Sequence, residues 1–219
     1  MFTDGVFSLT RAPYINLMKR RSFLGALAAL PLATPALANT QPLSLAEISK
    51  YLNNLTNAKG AFTQVNPDGT LSKGTFYLKR PGRMRFEYEP PNDALVIAGQ
   101  SRLAIFDNRS NAGPQQYPLH KTPLHIILKK NVNLNASGMV TAHKHDGTAT
   151  TITAQDPENP NFGNVKLVFT DSPTELRQWI VTDESGQKTT VILGELDKTT
   201  RISGRLFDID RIVKEGDLR

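Results

Sequence analysis

Few side chains in this 219-residue sequence have the type and spacing that metal binding or catalysis requires. His143 and His145 alternate along a predicted strand, so both could reach one metal ion. Zinc needs three or four ligands, and no third ligand stands at a recognisable spacing, which favours solvated strand residues. Asp208 and Asp210 also share a predicted strand face and could act as acid and base, but a charged surface is the favoured interpretation.

Other catalytic and cofactor motifs are missing from the sequence. It has no G-x-S-x-G elbow, no phosphate-binding P-loop and no H-E-x-x-H pair. Because it has no cysteine, thiolate metal sites, iron–sulfur clusters and cysteine nucleophiles are excluded. We interpret His120 and His125 as surface residues near a short helix. The sequence therefore predicts a protein that is not an enzyme and holds no metal or cofactor, with a hydrolase using Asp208, Asp210 or His143 as the weakest hypothesis.

Arg80 is a charged residue that the strand pattern places on an apolar face. The alternation that points Phe76 and Leu78 inward also points Arg80 inward, directly before Pro81 ends the strand. A buried guanidinium needs acceptors, and carbonyls left unpaired at a helix or loop end are the nearest candidates. The alternative is that Arg80 extends into solvent at the strand end.

A helix and a long series of strands would position these residues. Ser44 and Glu47 form a capping box, and an apolar stripe of Leu45, Ile48, Leu52 and Leu55 follows, with Gly60 ending the segment. A brief second helix is predicted from a Thr122 cap through Lys130. The pattern alternates with period two in ten segments and weakly in an eleventh: 61–65, 71–80, 83–89, 94–98, 102–107, 140–145, 149–155, 165–170, 175–182, 188–194 and 205–209. The spacing predicts an antiparallel barrel or sandwich of about ten or eleven strands.

The predicted sheet has one apolar face and a charged back, and only two helical segments are available to cover the apolar face. The large residues assigned to that face are Phe76, Leu78, Met84, Phe86, Tyr88, Leu95, Ile97, Leu103 and Ile105. Leu124, Ile127 and Leu128 line one side of the short helix. A sheet curled around the helices would leave a hollow for an apolar ligand, or the same residues would fill a small barrel core. Trp179, the only tryptophan, is more typical of a core or rim aromatic than of a residue that stacks on a ligand.

The first 38 residues have the pattern of an export signal. Basic residues 19–21, the apolar run 23–32 and the small residues of 36–38 predict cleavage near Ala38 and a single domain over residues 39–219. Met18 directly precedes the basic cluster, so residues 1–17 read as an extension upstream of the true start. The paired arginines resemble a twin-arginine signal, although ordinary secretory signals carry them too.

The charge distribution argues against a nucleic-acid partner. The formal net charge is +6, but four basic residues and one acidic residue belong to the predicted signal. The remaining basic residues are scattered singly along strands, without the clusters and interleaved aromatics of a nucleic-acid surface.

One continuous run of the sequence has a recognisable pattern. It extends from Gly74 through Lys79-Arg80-Pro81 to Tyr88 and continues into Leu95–Gly99 and Leu103–Asp107. Ahead of it, the segment Ala61-Phe62-Thr63-Gln64 follows an amphipathic helix. Together these segments resemble the LolA family of outer-membrane lipoprotein carriers, whose usual opening the segment 61–64 matches. The resemblance covers most of residues 42–210 and is strongest over 58–108. Met84 departs from it, because relatives often carry an aromatic residue there.

This resemblance implies a mainly β fold, an unclosed antiparallel barrel covered by the N-terminal helix and the short internal helix. It implies a monomeric chaperone in the periplasm of a Gram-negative bacterium, which takes lipoproteins from an inner-membrane ABC transporter to an outer-membrane receptor. The hollow would shelter the acyl chains, and Arg80 would bond to lid carbonyls and hold the empty carrier closed. The residues expected around the acyl chains are Phe76, Leu78, Met84, Phe86, Tyr88, Leu95, Ile97, Leu103, Ile105, Leu124, Ile127, Leu128 and Trp179. The alternative on the same fold is a periplasmic sensor or carrier of another amphiphile.

Overall fold

The structure, a computed structural model, describes residues 41–107 and 113–215. The predicted export signal and its cleavage near Ala38 lie outside the described residues. The three α-helices are α1 (Leu45–Asn54), α2 (Leu124–Leu128) and α3 (Ile209–Glu215). The strands are β1 (Asn57–Val65), β2 (Leu71–Lys79), β3 (Met84–Tyr88), β4 (Ala94–Gly99), β5 (Arg102–Asp107), β6 (Gln115–Pro118), β7 (Val140–His145), β8 (Ala149–Gln155), β9 (Asn164–Asp171), β10 (Thr174–Thr182) and β11 (Lys188–Leu193). Within the described residues, no helix has both the length and the apolar character needed to cross a bilayer.

The eleven strands form one antiparallel sheet in the order β6-β5-β4-β3-β2-β1-β11-β10-β9-β8-β7. Strands β6 and β7 are its two edges, and they do not pair with each other. The sheet is therefore an unclosed barrel, which confirms the fold that the family resemblance implied.

Helix α1 begins where its sequence predicts. The Ser44 hydroxyl accepts from the Glu47 N–H at 3.2 Å, and the Glu47 carboxylate accepts from the Ser44 N–H at 2.8 Å. The predicted end at Gly60 is wrong, because the helix stops at Asn54 and Gly60 already belongs to β1. A Cβ at Gly60 would lie 2.6 Å from the Glu195 carbonyl oxygen, so this glycine permits a close approach of two backbones.

Three other sequence-based element assignments are corrected. Strand β6 lies where the pattern gave no strand, because its four residues are all exposed and carry no apolar alternation. The weak strand predicted over 205–209 is instead a 3-10 helix over Gly204–Phe207 followed by α3. Residue Thr122 does not cap α2, whose N-cap is Pro123 without a side-chain hydrogen bond.

Apolar side chains form two clusters, one on each face of the sheet. The inner cluster packs α1, α2 and the inner face, with Ile48, Leu52, Phe76 and Trp179 among its buried members. The outer cluster lies behind β4 and β5, where the C-terminal segment covers the sheet. Its members are Leu95, Ile97, Ala104, Phe106, Ile202, Phe207, Ile209 and Ile212.

The assignment of Leu95 and Ile97 to the inner hollow is wrong. Leu95 pairs with Glu87, and Ile97 pairs with Arg85, so all four side chains share the outer face. Strand β4 is apolar at both parities because both of its faces are covered. Its inner face is carried by Val96, which pairs with Phe86.

The charged back of the sheet is partly buried by the same C-terminal segment. The Arg85 side chain is 2% exposed, its Nε lies 2.6 Å from Glu87 Oε1, and its Nη1 donates to the Leu206 carbonyl oxygen at 3.0 Å. Lys79 Nζ donates to the Ile202 carbonyl oxygen at 2.5 Å. The basic side chains therefore bind the C-terminal segment through its backbone carbonyls.

The carboxylates of Asp208 and Asp210 belong to this attachment. The Gln100 amide donates to both, at 3.2 Å and 3.1 Å, and Arg102 lies 2.6 Å from Asp210. Asp208 also accepts from the Arg211 N–H at 3.1 Å. They stand at the start of α3 and not on a strand face, so the geometry assumed for an acid–base pair is not present.

Candidate ligand-binding cavity

A cavity of about 350 Å³ lies between the inner face of the sheet and α2. This volume falls within the range of about 300–1,000 Å³ that is usual for small-molecule sites. Strands β1, β3, β4, β5, β10 and β11 contribute to its walls together with α2. The lining residues are Gln64, Phe86, Tyr88, Asn92, Ala94, Val96, Leu103, Ile105, Leu124, Trp179, Val181, Thr189 and Val191.

A second cavity of about 340 Å³ adjoins the first. The two share Leu103, Ile105, Leu124 and Val181 as walls. The second cavity is more polar, since Lys121, Asp183 and Glu184 also line it. An elongated apolar ligand in the first cavity can thus extend toward a charged and solvated opening.

An aromatic cluster closes the floor of the first cavity. The Trp179 ring packs edge to face on Phe76 at 5.5 Å and on Phe86 at 6.1 Å between centroids. Trp179 is 2% exposed, so it belongs to the core and at the same time forms part of the cavity wall. Below it, near α1, the interior is almost filled, with a gap of only about 10 Å³. The filled core and the open hollow are therefore both present, at different ends of the same half-barrel.

Polar side chains form one end of the first cavity. Tyr88 Oη donates to Gln64 Oε1 at 2.7 Å, and Gln64 Nε2 donates to Asn66 Oδ1 at 2.6 Å. Asn92 Nδ2 donates to Ser72 Oγ at 2.9 Å. Burial raises the pKa of Tyr88 to about 12, so the phenol keeps its proton.

Arg80 is buried, with 8% of its surface exposed, and it contacts the end of α2. Its Nη2 donates to the carbonyl oxygen of Lys129, the C-cap residue of α2, and lies 3.5 Å from Asn53 Oδ1. The Gly82 N–H donates to the Leu128 carbonyl oxygen at 2.9 Å. Burial lowers the pKa of Arg80 from its ordinary value. Of the two environments considered from the sequence, Arg80 thus occupies the one with helix-end carbonyls, and it does not extend into solvent.

The residues expected around acyl chains occupy three different places. Those that line the first cavity are Phe86, Tyr88, Leu103, Ile105, Leu124 and Trp179. Those in the filled part of the inner cluster are Phe76, Leu78, Met84, Ile127 and Leu128. Only Leu95 and Ile97 are on the outer face.

Sequence reasoning missed several wall residues, among them Gln64, Asn92, Ala94, Val96 and Val191. Gln64 could have been predicted as a wall residue, because it has the same strand parity as the buried Phe62. Asn92 could not have been predicted, because it lies between strands, where parity gives no information.

The histidines of β7 have separate partners. His143 Nε2 is 2.9 Å from the Leu43 carbonyl oxygen, and His145 Nε2 is 2.8 Å from Asp171 Oδ2. Over residues 41–107 and 113–215, no three histidine, aspartate or glutamate side chains converge as metal ligands.

The covering helix α2 contains a half-buried histidine, which predicts a pH-dependent stability. Burial and the nearby Lys129 lower the pKa of His125 from 6.5, with a smaller effect of His120 in the same direction and an opposing one of Asp156. The unfolded chain therefore binds the proton more readily than the folded one, and stability should fall as the pH drops through 6.5. His125→Gln is expected to flatten this decline in urea unfolding between about pH 7.5 and pH 5. The exposed His120→Gln serves as the control, and an equal flattening in both variants would contradict the prediction.

The family model and the curated relatives that match this chain name the same family. Residues 53–210 match the family model described as outer membrane lipoprotein carrier protein LolA. An outer-membrane lipoprotein carrier protein of Chromohalobacter salexigens is 23% identical over 211 residues, which cover 90% of this chain and 99% of the relative. One from Legionella pneumophila is 25% identical over 171 residues, 74% of this chain and 83% of the relative. A solved LolA superfamily protein from Nitrosomonas europaea covers 77% of this chain and 99% of its own at 11% identity, with a TM-score of 0.39, which is too low to add to the assignment.

Proposed function

Because the chain belongs to the LolA family of outer-membrane lipoprotein carriers, a family of non-enzymatic chaperones, we propose that it binds the acyl chains of lipoproteins in the first cavity and carries them through the periplasm. The proposed route begins at an inner-membrane ABC transporter and ends at an outer-membrane receptor. The relatives named above are lipoprotein carriers, and this supports the cargo class.

The observation that carries the proposal is the apolar hollow itself. Its volume of about 350 Å³ is walled mainly by aliphatic and aromatic side chains, while the rest of the inner cluster is filled. Each methylene group moved from water to such walls contributes about 0.8 kcal/mol. Several methylenes would hold an acyl chain without a covalent bond, and the chain would remain extractable.

Arg80 is proposed as the latch of the empty carrier. It ties the end of β2 to the carboxyl end of α2, and α2 supplies Leu124 to the cavity wall. A hydrogen bond from a charged group contributes about 1.5–3 kcal/mol. Such a bond is strong enough to keep α2 in place and weak enough for bound cargo to replace it.

The test is to purify the chain from the periplasm of its host and to identify bound molecules by mass spectrometry. We expect acylated lipoproteins to co-purify with it. Ala94→Phe should reduce their recovery about tenfold, because a ring in the cavity displaces about two methylene positions. Ala61→Phe makes the same change at an exposed position outside this cavity and should have no effect.

Recovery of a different amphiphile in place of lipoproteins would support the sensor or carrier alternative and contradict the proposal. Equal recovery by the Ala94→Phe and Ala61→Phe variants would also contradict it, since the cargo would then be bound elsewhere.

A further inference from the structure

The polar end of the first cavity is built from neutral groups. Gln64, Tyr88 and Asn92 carry amide and hydroxyl atoms, and a line of hydrogen bonds through Asn66 and Ser72 holds them in place. A cavity that needed only to shelter hydrocarbon would have no use for three fixed polar side chains. Their position beside the apolar walls points to an amphiphilic ligand.

The hydrogen bonds leave a defined set of donors. Each side-chain amide nitrogen has two hydrogens, of which Gln64 Nε2 uses one toward Asn66 and Asn92 Nδ2 uses one toward Ser72. Tyr88 gives its single hydrogen to Gln64 Oε1, and the bond from Gln64 Nε2 to Asn66 Oδ1 holds the other side of the same amide. One hydrogen of each amide remains for a ligand, together with the hydroxyl of Thr189 in the same cavity wall, and a carbonyl oxygen is their natural acceptor.

The charges of the neighbourhood restrict the ligand further. Among the described residues, no charged side chain lines the first cavity. Charged side chains line the adjoining second cavity, where Asp183 accepts bonds from Ser185 and Gln187 of its own turn, and Lys121 and Glu184 are exposed. A carboxylate or phosphate drawn into the first cavity would lose hydration without gaining a counter-ion, and this is costly.

We propose that the amides of Gln64 and Asn92 recognise an uncharged carbonyl at the head of an acyl chain, an ester or an amide, and that Tyr88 is the positioning residue for Gln64. The inference rests on the proposed function, because it specifies which acyl compounds the same cavity accepts. Acylglycerol esters and N-acyl amides fit this description, and free fatty acids do not.

The experiment compares two probes with the same chain, monopalmitoylglycerol and palmitate, on delipidated protein at about pH 8. Binding is measured by displacement of a fluorescent acyl probe, below the micelle concentration of both compounds. We expect the neutral ester to bind at least tenfold tighter than the carboxylate. The preference is expressed as the dissociation constant of palmitate divided by that of monopalmitoylglycerol. Gln64→Leu should reduce this ratio several-fold, and Tyr88→Phe, which retains the aromatic ring, should reduce it by a smaller factor.

The matched control is Gln178→Leu, the same substitution on the outer face of β10, since Gln178 pairs there with Ile192. The ratio of the two dissociation constants should be the same in the Gln178→Leu variant as in the wild type. A ratio near one in the wild type, or tighter palmitate binding that Lys121→Gln abolishes, would overturn the inference and leave the carrier function standing. Failure of the wild type to bind either probe or to bind the fluorescent acyl compound would instead contradict the proposed function.

Discussion

Replacing Phe207 by alanine is expected to lower the free energy of unfolding by about 3–5 kcal/mol, the usual loss for a buried aromatic ring in a core. Phe207 is 2% exposed in the outer cluster, and its carbonyl oxygen would lie 2.1 Å from a Cβ placed at Gly99, so the sheet and the segment are in direct contact. Urea denaturation followed by circular dichroism measures the change.

Val213→Ala, in the same C-terminal segment, provides the control. Val213 is 49% exposed, so its truncation should change stability by less than about 0.5 kcal/mol. Equal stabilities of the Phe207→Ala and Val213→Ala proteins would show that the C-terminal segment does not cover the outer face in solution.

Arg80→Leu is expected to loosen α2 without unfolding the sheet. The substitution removes the donor to the Lys129 carbonyl, and a charged hydrogen bond contributes about 1.5–3 kcal/mol, so local opening should become roughly ten- to a hundredfold more frequent. Hydrogen–deuterium exchange should accelerate by this factor at the amides of α2 and at Gly82, whose N–H donates to Leu128.

The control is Arg83→Leu, three residues further along the chain. Arg83 Nε donates to the Lys79 carbonyl oxygen at 3.3 Å and not to α2. Exchange in α2 should therefore remain as in the wild type. Equal exchange rates in α2 for Arg80→Leu and the wild type would remove Arg80 from the proposed latch.

Local elements were predictable where the signal is contained within a few residues. The capping box of Ser44 and Glu47 places the start of α1 correctly, because both hydrogen bonds are made within one turn. The turn 66–69 joins β1 and β2 as expected, and Gly69 adopts the positive φ of 84° that its position required. Neither feature depends on the rest of the chain.

Orientation of β4 was not predictable, because its two parities are equally apolar. Leu95 and Ile97 were assigned inward by size, but the residues that decide the matter, Ile202 and Phe207, are more than a hundred positions away in the sequence. The same distant segment makes Arg85 a buried residue, although alternation with apolar neighbours reads as exposure. Polarity predicts a solvent face only when no later segment returns to cover it.

The site was predictable as an apolar hollow and not as a polar one. Large side chains such as Phe86 and Ile105 give a strong pattern, and they do line the cavity. The smaller Ala94 and Val96 shape it by leaving space, which a search for bulky residues does not find. The pairing of Gln64 with Tyr88 appears only when β1 and β3 are placed on either side of β2.

The two unpaired edges of the sheet have a consequence for the range of ligand sizes that the proposed carrier would accept. Strand β6 bonds only to β5, and β7 bonds only to β8. Spreading these two edge strands apart therefore breaks no ladder hydrogen bond between them, and the packing of α1 and α2 against the inner face is among the contacts that oppose it. A closed barrel would have a fixed bore, whereas in the proposed carrier an unclosed barrel would let the cavity widen for thicker or branched hydrocarbon.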